Sequence, residues 1–281
     1  MAKQKIEAWK KFVETWVKVT SPGRPTVAEI KIYEKFAQPI LKKKSIQILV
    51  LGSTPEIRDM LAKYKNAQIT LVDLNFEMTF AMTSLMRKKQ AAKKEIWLRS
   101  NWLTAPLPKK YFDLIFGDFV ICNVPFKFQP QFLNNIKEWL KPNGSFITRC
   151  DNEKAEYKKN SSQQFCDLFT DKPTSQETIN LFWEAGVCLL GRADKDEMVQ
   201  PKIFYQQINK YLKNHPNQKI SAILKKGGIL YPLNATWYLR TEKCLQKLLS
   251  PYFKIQGIKF DPKINFIYPD FAPIYQLKPK K

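Results

Sequence analysis

Ile46-Gln47-Ile48-Leu49-Val50-Leu51-Gly52-Ser53-Thr54-Pro55-Glu56 is the stretch whose reading decides the fold. A run of β-branched and leucine side chains ends at Gly52, and the chain then turns through Ser53 and Thr54 into Pro55 and Glu56. Proline is favoured at the first helical position, where its missing N–H costs nothing, and a carboxylate in the first turn suits the helix dipole. The stretch therefore predicts a buried strand, a tight glycine turn and a helix start. A second such run, Ile69-Thr70-Leu71-Val72, closes on Asp73. Strand, glycine turn, helix, strand and acidic tip make the unit that cradles a nucleotide in an open α/β sheet. In it Gly52 lets a ligand approach the backbone, and Asp73 can accept hydrogen bonds from two ribose hydroxyls. The plainer alternative is a structural βαβ unit in which Asp73 only caps the next helix.

Outward from this unit the pattern continues. Residues 76–93 read as a helix with Met78, Met82, Leu85 and Met86 on one face, a stripe that suits core better than a ligand box. Glu95–Leu98 reads as a third strand and Phe112–Asp118 as a fourth, entered through the polar turn at Pro108-Lys109-Lys110. A helix over 130–141 is stopped by Lys141-Pro142-Asn143-Gly144, and Ser145–Cys150 forms a fifth strand. Upstream, 4–19 has helical spacing and ends at the breakers Ser21-Pro22-Gly23-Arg24-Pro25, and Thr26 caps a second helix through about Leu41. These two helices would either flank the crevice as a lid or pack on the sheet edge. Between 151 and 238 the sheet pattern lapses into helical stretches near 160–170, 176–190 and 198–213. Its aromatic residues Tyr157, Trp183, Tyr205, Tyr231 and Trp237 are either core or a substrate wall. A helix at 240–249 and strands at Phe253–Phe260 and Phe271–Leu277 end the chain. The expected organisation is thus an N-terminal helical flank (1–44), a sheet core (45–150), a helical insertion (151–238) and a C-terminal completion of the sheet (239–281).

Composition narrows the chemistry. With 44% hydrophobic residues the 281-residue chain has ample core material. It carries no apolar run of the roughly 18 residues a membrane span needs, and its first residues lack the apolar stretch of a secretory signal, so a cytoplasmic location is expected. The five cysteines are scattered with no C-x-x-C pair, which suggests neither a zinc site nor a disulfide framework. A single histidine, His215, argues against a Ser-His-Asp triad or a histidine metal centre. The formal charge of +22 leaves a nucleic-acid partner open. Only seven of the 47 cationic residues are arginines, however, and the lysines are spread along the chain. Arginine is the side chain suited to bidentate phosphate contacts, so a solvated lysine surface is the competing reading.

The segment 45–150 resembles a class I S-adenosylmethionine-dependent methyltransferase, and the last forty or so residues share the resemblance more weakly. The resemblance rests on Gly52-Ser53-Thr54-Pro55 after the first strand, Asp73-Leu74-Asn75 after the second and Asn101-Trp102 after the third. It rests further on Phe112–Val120 at the fourth and on Leu140-Lys141-Pro142-Asn143-Gly144 before the fifth. It implies a Rossmann-like, doubly wound, seven-stranded, mostly parallel sheet with an antiparallel last strand, N-terminal helices and a helical insertion. The implied cofactor is S-adenosylmethionine, leaving as S-adenosylhomocysteine. Gly52, Ser53, Thr54 and Pro55 would meet its methionine part, Asp73 its ribose, and Leu74, Asn75, Asn101 and Trp102 its adenine. Asp118, Phe119 and Val120 would lie beside the sulfonium. Arg24 could grip the methionine carboxylate through its forked geometry.

Methyl transfer from a sulfonium needs alignment and exclusion of water rather than a metal or a strong base. Asp118 and Asn123 are the candidate catalytic residues, each with a structural alternative: Asp118 capping the following turn, Asn123 bonding only to loop backbone. Asn123-Val124-Pro125-Phe126 partly matches the N-P-P-F signature of adenine and glutamine methyltransferases, with Val124 in place of the first proline. Three readings follow: methylation of a small molecule, methylation of a nucleic acid or protein docked on a basic face, and non-catalytic binding of the cofactor. No membrane partner is expected, and the oligomeric state is open.

Overall fold

The computed structural model describes residues 16, 19–153, 161–193, 196–227, 231–263 and 270–280. The expected helix over 4–19, Trp16 apart, and the expected wall residue Tyr157 fall outside them.

Helix α1 (Val27–Leu41) opens with a full capping box, the Thr26 hydroxyl accepting from the Glu29 N–H while Glu29 accepts from the Thr26 N–H. It is followed by β1 (Ile46–Leu51), α2 (Pro55–Leu61), β2 (Ala67–Asp73), α3 (Phe76–Leu85), β3 (Ile96–Arg99), β4 (Phe112–Asp118), α4 (Gln129–Trp139) and β5 (Leu140–Arg149). The chain then runs through α5 (Ser162–Thr170), α6 (Gln176–Leu190), β6 (Arg192–Ala193), β7 (Asp196–Val199), α7 (Pro201–Asn214), α8 (Gln218–Gly227) and β8 (Trp237–Tyr238). It ends with α9 (Glu242–Leu249), β9 (Phe253–Lys259) and β10 (Ile274–Pro279). Among the described residues no helix is long and apolar enough to cross a membrane.

The main sheet has the order β3-β2-β1-β4-β5-β10-β9. Strands β1 to β5 pair in parallel, and β10 runs antiparallel to both β5 and β9. A parallel sheet is covered on both faces, which is why β1 and β4 are near-continuous apolar runs. One face buries Ile48, Val50, Leu114 and Phe116 under Tyr33, Ala37 and Ile40 of α1 and Ile57 and Met60 of α2. The other buries Leu49, Ile115 and Phe146 under Phe132, Ile136 and Trp139 of α4 and Leu245 and Leu249 of α9. Each such side chain contributes about 1.5–3 kcal/mol by leaving water. The crossovers reverse direction at β1/β4, so the carboxyl ends of these two strands open a crevice.

Four details depart from the sequence reading. Helix α1 packs on the sheet face rather than on its edge, the packing alternative and not the lid; of the segment before it, Trp16, Pro22 and Gly23 reach the crevice. The helix expected over 76–93 ends at Leu85: Met86 is extended, and a 3₁₀ turn at Lys89–Lys94 follows, because the run of lysines offers no further apolar face. The residues expected to stop the helix before the fifth strand lie inside β5. Phe112 pairs with Leu140 and Leu114 with Ser145, so Lys141–Gly144 bulge out of the ladder. The region after β5 is also not purely helical. Strands β6, β7 and β8 form a small antiparallel sheet. They close a core of their own, in which Phe169 meets Phe182, and Phe165, Phe182 and Trp183 meet Phe204, edge to face.

Candidate functional site

A cavity of about 500 Å³ lies where the core of the helical region meets the carboxyl ends of β1, β2, β4 and β5. At the end of β1, Gly52 has φ +83°, a left-handed conformation that glycine adopts without penalty. Its N–H bonds the Val72 carbonyl at 2.9 Å. The same carbonyl accepts the Trp102 indole N–H at 2.8 Å, which fixes that ring along the wall. Pro55 is the first residue of α2, as its sequence position suggests, and does not line the cavity; Ser53 and Thr54 do.

At the end of β2, Asp73 faces the cavity and accepts the Asn75 N–H at 2.9 Å. Burial pushes its carboxyl up to about 6, against hydrogen bonds from the N–H groups of Asn75 and Leu74 and the Ser53 side chain. It remains mostly ionised at neutral pH. Leu74 and Asn75 line the cavity beside it, and the Asn75 side chain also caps α3 by accepting the Met78 N–H. Asn101 spends its carbonyl oxygen on the Leu103 N–H at 3.0 Å, making a tight turn at the rim.

The end of β4 is the most constrained point. Asp118 lines the cavity, but both of its oxygens receive N–H groups of Arg149, at 2.7 and 3.2 Å. Arg149, wholly buried, also donates to Glu29 at 3.0 and 3.1 Å, and its backbone N–H bonds the Tyr33 hydroxyl. Burial raises the Asp118 carboxyl to about 6 and Arg149 pulls it down, so this carboxylate also stays charged at neutral pH. Phe119 follows with φ +53°, a strained conformation for a bulky residue, and its ring lies 4.4 Å from the Arg149 guanidinium. Val120 is buried in the wall. Asn123 lines the cavity and donates to the Phe119 carbonyl at 2.9 Å, so its amide nitrogen braces the loop. Arg24 is not on the wall: its guanidinium is bonded to Glu56 at the start of α2, where a ligand carboxylate was expected.

Several wall residues were not singled out from sequence. Asp151 follows β5 and accepts the Arg240 N–H; burial lifts its carboxyl to about 6. Glu184, in the middle of α6, is bonded by the Tyr231 hydroxyl, and burial lifts it to about 8. Met78 and Met82 of α3, read from the sequence as part of a core stripe, do pack in the core of the helical region but also line the cavity. Of the expected aromatic wall, Tyr231 and Trp237 are present, Trp183 is fully buried in the core away from the cavity, and Tyr205 stands at the surface. Among the described residues the lining holds four carboxylates and no lysine, arginine or histidine.

This geometry is that of an α/β enzyme with a nucleotide crevice at its topological switch point. Residues 51–148 match the family model for a methyltransferase domain. The chain carries that domain, its cofactor is S-adenosylmethionine, and its class is that of methyl-transferring enzymes. Among solved structures, the CcbJ methyltransferase of Streptomyces caelestis superposes with a TM-score of 0.58 at 10% identity, covering 99% of both chains. Magnesium protoporphyrin IX methyltransferase of Synechocystis PCC 6803, with bound S-adenosylhomocysteine, gives 0.55 at 8% identity over 98% of both. A Rhodobacter sphaeroides protein described as a zinc-dependent alcohol dehydrogenase gives 0.60 at 14% identity over 99% of both. At these identities the likeness speaks to the fold alone. No curated protein sequence matches the chain.

Proposed function

We propose that the chain methylates a small molecule held in the same cavity as the cofactor. The lining fits S-adenosylmethionine: a left-handed glycine turn admits a ligand against backbone, a carboxylate stands at the ribose position, and the wall is acidic where a sulfonium would lie. When bound, that group supplies a methyl already activated toward nucleophilic displacement. Gly52, Ser53 and Thr54 would hold the amino-acid part, Asp73 the sugar hydroxyls, and Leu74, Asn101 and Trp102 the base. Asp118 would act as a positioning residue, since Arg149 occupies both its oxygens. With the Phe119 ring and Asn123 it would fix the wall beside the reacting atoms and keep water out.

The observation that carries the small-molecule reading is the far end of the cavity. It continues past Asp118 to Glu184, Tyr231, Thr236 and Trp237 with no cation on its wall among the described residues. Its volume lies within the range of about 300–1,000 Å³ typical of small-molecule sites. A polyanionic acceptor would call for arginine or lysine near the reacting atoms.

Calorimetry with S-adenosylhomocysteine tests the cofactor half. Asp73→Ala removes charge-assisted hydrogen bonds worth about 1.5–3 kcal/mol, so affinity is expected to fall about 10- to 150-fold. Unchanged affinity refutes the ribose assignment. For the acceptor half, isotopic methyl transfer to fractionated extracts is expected to label metabolites; label confined to RNA or protein sinks it.

A further inference from the structure

Glu184 sits where an acceptor would lie, and nothing in the cofactor reading uses it. The residue is 6% exposed yet lines the cavity, in the middle of a helix whose other inward residues are almost all apolar. The carboxylate is held in place: the Tyr231 hydroxyl and the Gly23 N–H both donate to it. A Cβ at Gly23 would come within 2.5 Å of the Glu184 Oε1 and 2.6 Å of the Tyr231 hydroxyl, so the loop is pressed directly onto this pair. Among the described residues, Cys188 on the next turn of α6 and, at longer range, the Arg149 guanidinium also act on it, the latter already engaged by Asp118 and Glu29. Among the described residues no cation is bonded to Glu184. Asp151 also lines this cavity.

We propose that Glu184 is the catalytic proton acceptor for an amine, and that the end of the cavity it lines is an amine subsite, resting on the small-molecule reading above. An ammonium entering this acidic pocket, which has no cation on its wall among the described residues, displaces the resting proton of Glu184 and pairs with the carboxylate. The N–H bond breaks, an O–H bond forms on Glu184, and the nitrogen keeps its electron pair as a nucleophile. Nothing is oxidised or reduced. Burial lifts Glu184 to about 8, close to the working range of a general base. At pH 7 the free pocket therefore holds a proton on Glu184. An ammonium and a protonated Glu184 bring two protons to a site that keeps one, so binding releases about one proton.

The probe is benzylamine, whose ring suits the Tyr231 and Trp237 walls, titrated into the S-adenosylhomocysteine complex beside benzyl alcohol and benzoate. Calorimetry in two buffers of different ionisation enthalpy counts protons. Benzylamine is expected to bind at least about tenfold tighter than either analogue, release about one proton at pH 7, and gain affinity as pH rises toward about 8. Glu184→Gln is expected to abolish the release and the preference while leaving S-adenosylhomocysteine affinity unchanged. Should that variant fail to fold, Tyr231→Phe keeps the carboxylate but removes a hydrogen bond that lowers its pKa, so the midpoint of the benzylamine profile moves up. Equal affinity for benzylamine and benzyl alcohol, no proton release, or an unmoved midpoint in Tyr231→Phe overturns the proposal. Failure of S-adenosylhomocysteine itself to bind overturns the cofactor reading first, and the amine subsite with it.

Discussion

Arg149→Met is the most informative single change to the scaffold of the site. The guanidinium is the shared partner of two buried carboxylates, Asp118 at 2.7 and 3.2 Å and Glu29 at 3.0 and 3.1 Å. Methionine fills much of its volume but leaves both acids without a counter-charge. Removing one partner of a buried pair costs about 3–5 kcal/mol. Loss of the contact with the Phe119 ring adds roughly 0.5–2 kcal/mol. A total near 5 kcal/mol lowers the melting temperature by about 10–20 °C in a domain of this size. The sign with pH is distinctive. Asp118 is already lifted to about 6 by burial with the cation present, and without it the carboxyl rises further. At pH 5 the orphaned acid is protonated and the penalty shrinks, whereas at pH 7.5 it is felt in full. Thermal melts of both proteins at the two pH values decide the matter, and Asp118→Asn in the Arg149→Met background should restore part of the loss. A destabilisation below about 1 kcal/mol at pH 7.5, or one of equal size at both pH values, would refute the reasoning.

Two further outcomes follow from the same wall. Asp73, Asp118 and Asp151 are raised to about 6 and Glu184 to about 8 by burial, so between roughly pH 5 and 8 the folded chain binds more protons than the unfolded one. Stability of the ligand-free protein is therefore expected to fall as pH rises through this window, and a flat or rising melting temperature from pH 5.5 to 8.5 would contradict the burial of these acids. Gly23→Ala forces a methyl group to within 2.5 Å of Glu184 and 2.6 Å of Tyr231 and Val19, all packed groups. It should cost about 1–3 kcal/mol of overpacking, read by denaturant titration; a loss under 0.5 kcal/mol would show that the loop is not pressed on the pair.

The two ends of the cavity differ in how they are encoded. The end lined by Gly52 and Asp73, proposed above to hold the cofactor, had its backbone placement legible in the sequence because it is local. Gly52 follows its strand directly, Pro55 opens the next helix, and Asp73 ends the next strand, so each position is set by short-range backbone geometry and apolar periodicity. The other end, proposed above to hold the acceptor, was not legible. Glu184 meets Tyr231 across 47 residues, Asp151 meets the Arg240 N–H across 89, and Arg149 meets Glu29 across 120. A glutamate on a helix carries no periodic signal that it faces inward. Strands β6 and β8 span only two residues each, too short to show alternation.

Sequence alone thus determined the order of strands and helices in the sheet core, the glycine turn and the acidic tip, because these are written in the spacing of neighbours. Tertiary structure decided the rest. It tied Arg24 to Glu56 and Asp118 to Arg149, and it placed Glu184 in the cavity wall. Charge pairing and burial depend on which distant segments the packed cores bring together, and no local pattern records that.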